Sequence, residues 1–305
     1  MLAPDEFKSR IAEGIMAFPA TPFADDGSLD RPGLESHVTF LAKFNPTALV
    51  AAGGTGEIFS LSLTEHEEVV RTTVRCAQGV PVIGGAAYGT ALACDMARAV
   101  ERAGADAVLL LPPYLIHSEQ EGLRRHIRAV SESVSIAVIP YSRDNAVIAP
   151  ETMALLADDR ANIVALKDGT GDAAGVAELK RLVGGRLVII NGAPTAEVYA
   201  PQFRAVGVQS YSSAVFTFFP ALASRFFDAL LARDDDTVNT MLAAFYRPLV
   251  ELRDRKRGYS VSVVKAGLRA MSMSAGPVRA PLMDLDTEEQ AMLVALVQSA
   301  ARWVR

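Results

Sequence analysis

The stretch "ANIVALKDGTGD", residues 161–172, combines an apolar run with a polar ending. Residues 163–166 are all apolar, and a continuous run of this kind is typical of a strand buried on both faces of a parallel sheet. Lys167 and Asp168 end the run, and a Gly-Thr-Gly turn follows. Two interpretations fit a lysine at this place. It forms an ion pair with a carboxylate such as that of Asp168, or it is the reactive amine of an enzyme.

Seven other short apolar runs end in a similar way, and they cover residues 14–20, 48–54, 81–87, 107–113, 136–141, 187–192 and 207–213. Amphipathic segments typical of helices separate the runs, which is the pattern of repeated βα units. Eight such units predict an α/β fold, a (β/α)8 TIM barrel. A doubly wound open sheet is the alternative. The barrel is favoured because eight is its strand number and no nucleotide-binding fingerprint follows the first run.

The chain beyond about residue 220 contains helical patterns and no strand pattern. The first of these helices closes the barrel, and the others form a C-terminal helical appendage. No linker or low-complexity segment precedes them, so we expect the appendage to pack on the barrel. The predicted organisation is therefore a barrel with the catalytic site over residues 1–232 and a C-terminal helical extension over residues 233–305.

Composition narrows the class of protein. The chain has 305 residues, half of them apolar, and a formal net charge of −5, which argues against nucleic acid or an anionic membrane as the main partner. Cys76 and Cys94 form no CxxC motif, so neither a disulfide framework nor a zinc site is predicted. The first residues show no signal-peptide pattern, and no apolar run is long enough to span a bilayer. We expect a cytoplasmic protein.

In barrels of this class, catalysis occurs at the C-terminal ends of the strands. No histidine and no carboxylate cluster suited to a metal follows the predicted strands, so no metal site is predicted. Lys167 is the most informative residue there. A neutral lysine amine attacks a ketone to form a Schiff base, and an apolar setting favours the neutral amine by lowering its pKa.

The loop "GGTGE", residues 53–57, follows the second predicted strand. Glycines let a backbone approach a ligand closely, and successive N–H groups bind anions. Gly54 and Thr55 are therefore candidates for binding a carboxylate, although a simple tight turn is the alternative interpretation. Glu57 is interpreted as a residue that caps the loop or ties it down.

Tyr141, after the fifth strand, is a candidate proton relay within reach of Lys167; the alternative is a buried ring with a solvated hydroxyl. Arg143 is suited to bidentate carboxylate binding, with a surface ion pair as its alternative. Further candidate substrate-binding residues are Asn191, Ser210 and Ser212. For the serines the alternative is that they only satisfy hydrogen bonds within their loop.

These motifs, in this order and at these strand positions, resemble the class I lyase family of dihydrodipicolinate synthase and N-acetylneuraminate lyase over roughly residues 10–215. The resemblance implies a TIM barrel with C-terminal helices that forms a homo-oligomer, a tetramer or a dimer. It also implies that Lys167 forms a Schiff base with a 2-oxo acid. Tyr141 would shuttle protons with help from Thr55, and Gly54 and Thr55 would grip the carboxylate.

Departures from the synthase pattern indicate one branch of this family. Gly54 replaces a threonine, and Leu115 stands where the synthases carry a second tyrosine. "GGTGEIFSL" (53–61), "YSRDNA" (141–146) and "SYSSAVFTF" (210–218) instead resemble the 5-dehydro-4-deoxyglucarate dehydratases. Ser142 and Thr217 are modest departures from that branch, which has asparagine at both positions.

The branch resemblance implies a decarboxylating hydro-lyase. Its substrate would be a small-molecule keto-deoxy sugar diacid, 5-dehydro-4-deoxy-D-glucarate, and its products 2,5-dioxopentanoate, water and CO2, with no metal or organic cofactor required. Two alternatives stay open. One is a Schiff-base aldolase or synthase of the same family that uses pyruvate, and the other is a non-catalytic sensor of 2-oxo acids.

Overall fold

The computed structural model describes residues 1–304 and contains eight parallel strands. These are β1 (Gly14–Ala17), β2 (Ala48–Ala51), β3 (Val82–Ala86), β4 (Ala107–Leu110), β5 (Ala137–Ser142), β6 (Ala165–Asp168), β7 (Val188–Asn191) and β8 (Ser210–Ser213). Each strand pairs with the next, and β8 pairs with β1, so the sheet is a closed barrel. The predicted (β/α)8 TIM barrel is confirmed.

Within residues 1–304, nine helices belong to or precede the barrel units. They are α1 (Pro4–Arg10), α2 (Arg31–Ala42), α3 (Leu63–Cys76), α4 (Thr90–Arg102), α5 (Gln120–Glu132), α6 (Pro150–Asp159), α7 (Ala173–Val183), α8 (Ala200–Ala205) and α9 (Pro220–Ala232). A helix follows each strand, because successive parallel strands need a crossover connection that returns the chain to the end of the barrel where each strand begins. The amphipathic segments of the sequence therefore cover the outside of the barrel.

The predicted C-terminal helices are also confirmed. They are α10 (Asp235–Met241), α11 (Arg247–Arg253), α12 (Tyr259–Ala270) and α13 (Thr287–Ala300), with a π-helical segment, Leu242–Tyr246, between α10 and α11. One apolar cluster includes both Phe226 of α9 and Leu268 of α12, so a common core runs from the barrel into this extension. The division at residue 232 stays a prediction.

A second apolar cluster fills the inside of the barrel. Side chains alternate along a strand between its two faces, and the inward positions carry residues such as Met16, Val50, Leu109, Ile139 and Ile190. By the same alternation, Lys167 follows Ala165 on the inward face of β6, and Tyr141 follows Ile139 on the inward face of β5. Tyr141 is the register partner of Lys167, so two polar side chains meet where the apolar filling ends.

A buried ion pair joins the loop after β2 to the extension. Glu57 and Lys265 of α12 are both fully buried, and their charged atoms lie 2.7 Å apart. The Lys265 ammonium also donates to the Pro277 carbonyl at 2.7 Å and lies 4.2 Å from the centre of the Phe23 ring. Glu57 also accepts a hydrogen bond from the Arg279 backbone N–H at 3.1 Å. Glu57 therefore ties down its loop, as expected, and it does so through a partner, Lys265, that lies more than 200 residues away in the sequence.

Within residues 1–304, the longest apolar helices fall short of what is needed to cross a membrane. A cytoplasmic location stays a prediction from the sequence.

We predict that Lys265→Met lowers the free energy of unfolding by about 3–5 kcal/mol, because it leaves the Glu57 carboxylate buried without its cation. Urea denaturation measures this loss. The double variant Glu57→Gln/Lys265→Met removes both charges and should recover part of it. Arg71→Met, at an exposed i,i+4 pair on α3, is the control and should leave the midpoint nearly unchanged. A double variant less stable than Lys265→Met would contradict this account of the pair.

Candidate active site

A cavity of about 390 Å³ opens at the C-terminal ends of the strands. The loops after β1, β2, β7 and β8, the ends of β5 and β6, and the C-terminal extension all contribute to its wall. The polar or charged residues of the wall are Thr55, Tyr141, Arg143, Lys167, Thr195, Ser212, Ser213, Arg253 and Ser260. The predicted residues Gly54, Thr55, Tyr141, Arg143, Lys167 and Ser212 are therefore brought together in one site.

Lys167 is buried at the base of this cavity, with 5 % of its surface exposed. Its Nζ atom lies 3.4 Å from the centre of the Tyr141 ring and 5.3 Å from that of Phe18. Burial lowers the pKa of the Lys167 ammonium, because the charged form loses its hydration, and the Tyr141 phenol only partly opposes this effect. The site thus favours the neutral, nucleophilic amine.

Asp168 does not pair with Lys167. Its side chain accepts hydrogen bonds from the Thr170 backbone N–H at 3.1 Å and the Thr170 hydroxyl at 2.9 Å. Successive residues of a strand point to opposite faces, so Asp168 faces away from the barrel interior. Among the described residues, no carboxylate lies within ion-pairing distance of the Lys167 amine. Asp168 is therefore not the ion-pair partner of Lys167. Its hydrogen bonds to Thr170 shape the turn instead.

Tyr141 is held next to Lys167 by two hydrogen bonds. Its hydroxyl donates to the Gly192 carbonyl at 2.8 Å and accepts from Arg143 at 3.1 Å. Burial alone would raise the pKa of the Tyr141 phenol, but Lys167 in its charged form and the Arg143 guanidinium together outweigh burial and lower it. A phenol and an amine whose pKa values are both lowered are suited to exchanging a proton.

Gly192, on the loop after β7, makes room for Lys167. A Cβ atom at this position would lie 2.5 Å from Lys167 Cγ and 3.0 Å from its Nζ. A side chain larger than hydrogen would therefore displace the amine. Gly192 is the last residue of the apolar run 187–192, but the need for glycine there depends on a neighbouring strand and has no local signal.

The loop that carries Gly54 and Thr55 is held from both sides. The Gly54 carbonyl accepts from the Glu57 N–H at 3.1 Å, and the Thr21 hydroxyl donates to the Gly56 carbonyl at 2.6 Å. Within residues 1–304, the backbone N–H groups of Gly54 and Thr55 have no acceptor. A held loop with free N–H groups on a cavity wall is suited to binding an anion such as a carboxylate.

Asn191 and Ser210 are not among the residues that line the described cavity, so the structure does not bring them together with the other predicted substrate-binding residues. Ile190 points into the barrel, so Asn191 points outward; its amide donates to the Ala196 carbonyl at 2.9 Å and accepts from the Ala193 N–H at 3.1 Å. Ser210 lies two residues before Ser212 on β8 and is buried further from the strand end. Ser212 lines the cavity and donates to the Asn191 carbonyl at 3.4 Å.

The sequence analysis missed the part of the wall that comes from the extension. Arg253 at the end of α11, Ser260 and Val261 in α12, and Leu282 all contact the cavity. None of them follows a barrel strand, so strand position could not identify them. Of the residues that line the described cavity, none is a carboxylate, and two are cations, Arg143 and Arg253. The site therefore favours an anionic ligand.

Comparisons with known proteins agree on one family. The sequence profile of the dihydrodipicolinate synthetase family matches residues 11–300. A relative from Rhizobium rhizogenes named probable 5-dehydro-4-deoxyglucarate dehydratase is 47 % identical over 297 residues, which cover 97 % of this chain and 98 % of the relative. A relative of the same name from Saccharopolyspora erythraea is 48 % identical, over 97 % of this chain and 96 % of its own. The crystal structure of dihydrodipicolinate synthase from Bacillus clausii superposes with a TM-score of 0.88 at 29 % identity, over 95 % and 98 % of the two chains.

We predict that Lys167 reacts with a small aldehyde at lower pH than an exposed lysine does. Only the neutral amine reacts, and burial lowers the pKa of the Lys167 ammonium. Reductive methylation with formaldehyde and cyanoborohydride over a pH series, followed by peptide mass spectrometry, compares Lys167 with exposed Lys43. Half-maximal labelling of Lys167 at or above the pH found for Lys43 would contradict a lowered pKa.

Proposed function

Because the chain belongs to the dihydrodipicolinate synthetase family, we propose that its cavity performs the Schiff-base chemistry of a decarboxylating hydro-lyase. The substrate is 5-dehydro-4-deoxy-D-glucarate, and the products are 2,5-dioxopentanoate, water and CO2. The observation that carries this proposal is the buried Lys167 amine, 3.4 Å from the centre of the Tyr141 ring, in a cavity whose charged lining residues are all cations. Relatives bearing the dehydratase name along nearly the whole chain support the choice of substrate.

The first step joins substrate and enzyme. The neutral Lys167 amine attacks the ketone of the 2-oxo acid, and loss of the ketone oxygen as water leaves an iminium. Tyr141 carries protons between the amine and this oxygen, since it is buried next to Lys167. The adjacent carboxylate of the substrate binds to the free N–H groups of Gly54 and Thr55, and the Thr55 hydroxyl helps to orient Tyr141.

The second step is dehydration. The iminium draws electrons from the neighbouring CH2 group, which loses a proton and becomes an enamine. The enamine electrons then expel the hydroxyl group on the next carbon, which leaves as water after taking up a proton. The product of this step is an iminium conjugated with a carbon–carbon double bond.

The third step releases CO2. The bond between the far carboxylate and its carbon breaks, and its electron pair moves through the conjugated chain to the nitrogen of Lys167. A proton then adds to carbon, the resulting enol becomes an aldehyde, and water hydrolyses the iminium to free Lys167. Because the iminium accepts electrons in both bond-breaking steps, the reaction requires no metal or organic cofactor.

Arg143 and Ser212 complete the proposed substrate contacts. Arg143 donates to the Tyr141 hydroxyl at 3.1 Å, so it acts next to the proton relay. Ser212 presents a hydroxyl on the β8 side of the cavity, where it meets the hydroxylated part of the substrate.

We also propose that the protein assembles as a homo-oligomer, a tetramer or a dimer. Tyr114, Leu115 and Ile116 form three consecutive exposed apolar residues in the loop after β4. Contiguous apolar surface of this kind is typical of a protein–protein interface.

We predict that the wild-type protein releases CO2 from 5-dehydro-4-deoxy-D-glucarate and that Lys167→Ala reduces the release to the uncatalysed rate. Without the amine, no iminium forms to accept electrons in either step. A coupled CO2 assay measures the rate, and Lys43→Ala, at an exposed position, is the matched control. Consumption of pyruvate with an aldehyde but no CO2 release from the diacid would favour the aldolase alternative. Ligand binding without turnover would favour a sensor.

We predict that Tyr141→Phe lowers kcat by about 10²–10⁴-fold, the range expected for loss of a proton relay. The ring is retained, so Lys167 keeps its packing, and circular dichroism checks that the fold is intact. A kcat within a few-fold of the wild-type value would show that the hydroxyl carries no proton in the rate-limiting step.

A further inference from the structure

We propose that Arg253, in the C-terminal extension, binds the carboxylate that lies far from the ketone and thereby selects dicarboxylic 2-oxo acids. This assignment rests on the proposed function, because it concerns the same cavity and the same substrate. It gives the extension a direct part in substrate recognition, beyond its packing on the barrel.

Arg253 is placed at the cavity by the end of α11. Its side chain is 16 % exposed, and it lines the cavity together with Ser260, Val261 and Leu282 from the same extension. One terminal nitrogen donates to the Thr195 hydroxyl at 2.7 Å. Thr195 is itself a cavity residue, on the loop after β7, and its backbone is in the left-handed region at φ 54°. This hydrogen bond to Thr195 therefore fixes the guanidinium to a loop of the barrel.

The remaining nitrogens of Arg253 already hold a carboxylate. Nε and the second terminal nitrogen donate to the two carboxylate oxygens of Asp254 at 2.7 and 3.0 Å, which is the forked geometry that arginine uses for carboxylates. The Asp254 side chain is 59 % exposed, so water competes for its carboxylate and weakens the pair. A substrate carboxylate in the cavity can replace Asp254, which then returns to solvent.

The other two basic residues of the cavity have different roles. Lys167 is the neutral nucleophile of the proposed reaction. Arg143 donates to the Tyr141 hydroxyl at 3.1 Å, so its place is beside the proton relay. Of the two arginines that line the described cavity, Arg253 is the one that does not bond this relay, and we assign it to the second negative charge of the substrate.

The order of the strands gives the direction in which the substrate extends. The barrel runs in order from β1 to β8, so β2, which carries Gly54 and Thr55, lies opposite β6, which carries Lys167. The first carboxylate and the ketone of the substrate are on adjacent carbons, so the two groups lie together between the β2 loop and the amine of Lys167. The other carbons of the substrate then extend along the wall formed by the β7 and β8 loops, where Thr195, Ser212 and Arg253 lie.

The chemistry predicts how loss of Arg253 changes the kinetics. The far carboxylate is charged when the substrate binds and loses its charge as CO2 leaves. Arg253 therefore stabilises the bound substrate at least as much as the transition state of decarboxylation, and removing it should raise KM without lowering kcat in proportion.

The direct test measures Schiff-base formation rather than turnover. Wild-type protein and Arg253→Gln are incubated with 2-oxoadipate or with 2-oxohexanoate, each with six carbons, and reduced with borohydride. The two probes differ only in the far carboxylate. We expect the concentration for half-maximal labelling of Lys167 by 2-oxoadipate to rise about 10- to 100-fold in Arg253→Gln, the effect of losing charged hydrogen bonds. For 2-oxohexanoate it should change less than about twofold.

Controls separate recognition from structure. Arg255→Gln, at an exposed position two residues on, should behave as wild type with both probes, and Arg253→Lys should restore part of the preference for 2-oxoadipate because it keeps the charge. With the sugar diacid, Arg253→Gln should raise KM by the same 10- to 100-fold, with kcat within about threefold of wild type. Equal weakening for both probes, or none for 2-oxoadipate, would overturn the assignment.

The outcomes of these experiments separate a failure of the proposed reaction from a failure of the Arg253 assignment. If wild-type protein releases no CO2 from the sugar diacid, the proposed function fails. A preference for 2-oxoadipate that Arg253→Gln abolishes would still establish the far-carboxylate site. If CO2 is released and that preference is absent, the Arg253 assignment alone fails.

Discussion

The burial of the Lys167 amine against the Tyr141 ring is the constraint around which this site is organised. A charged ammonium is strongly disfavoured in a protein interior unless a counter-charge accompanies it. Lys167 sits on the inward face of β6 with 5 % of its surface exposed, and the nearest polar partner is a phenol rather than a carboxylate. The fold thus holds an amine whose neutral form is favoured, which is the form that attacks a carbonyl.

Strand register makes this arrangement possible. Inward positions of β5 and β6 are apolar up to Ile139 and Ala165, and the next inward residues are Tyr141 and Lys167, which are register partners. Gly192 on the neighbouring strand end then leaves space for the amine. A closed barrel fixes all three relationships at once, because no strand can slide without breaking its pairing with both neighbours.

Much of this could be predicted from the sequence, for reasons that also explain the errors. The eight apolar runs are local signals, and knowing that strand ends carry catalysis placed Lys167 and Tyr141 in one site. Asn191 and Ser210 were assigned by the same rule and do not line the cavity. Asn191 is one residue away from the inward-facing Ile190, so it lies on the opposite face of its strand. Ser210 is two residues before Ser212, so it lies further from the end of its strand. Arg253 and the Lys265 partner of Glu57 lie in the extension. Their contacts depend on how α11 and α12 dock, which no local pattern records.

The central claim is that one amine accepts electrons in both bond-breaking steps. Its most direct test is the mass of the adduct that borohydride leaves on the Lys167 peptide after reaction with 5-dehydro-4-deoxy-D-glucarate. The account predicts a reduced adduct on Lys167 that has lost one water and one CO2 relative to the adduct of the intact diacid and has gained two hydrogens, because borohydride also reduces the new aldehyde to an alcohol. An adduct confined to other lysines while free 2,5-dioxopentanoate accumulates would contradict it.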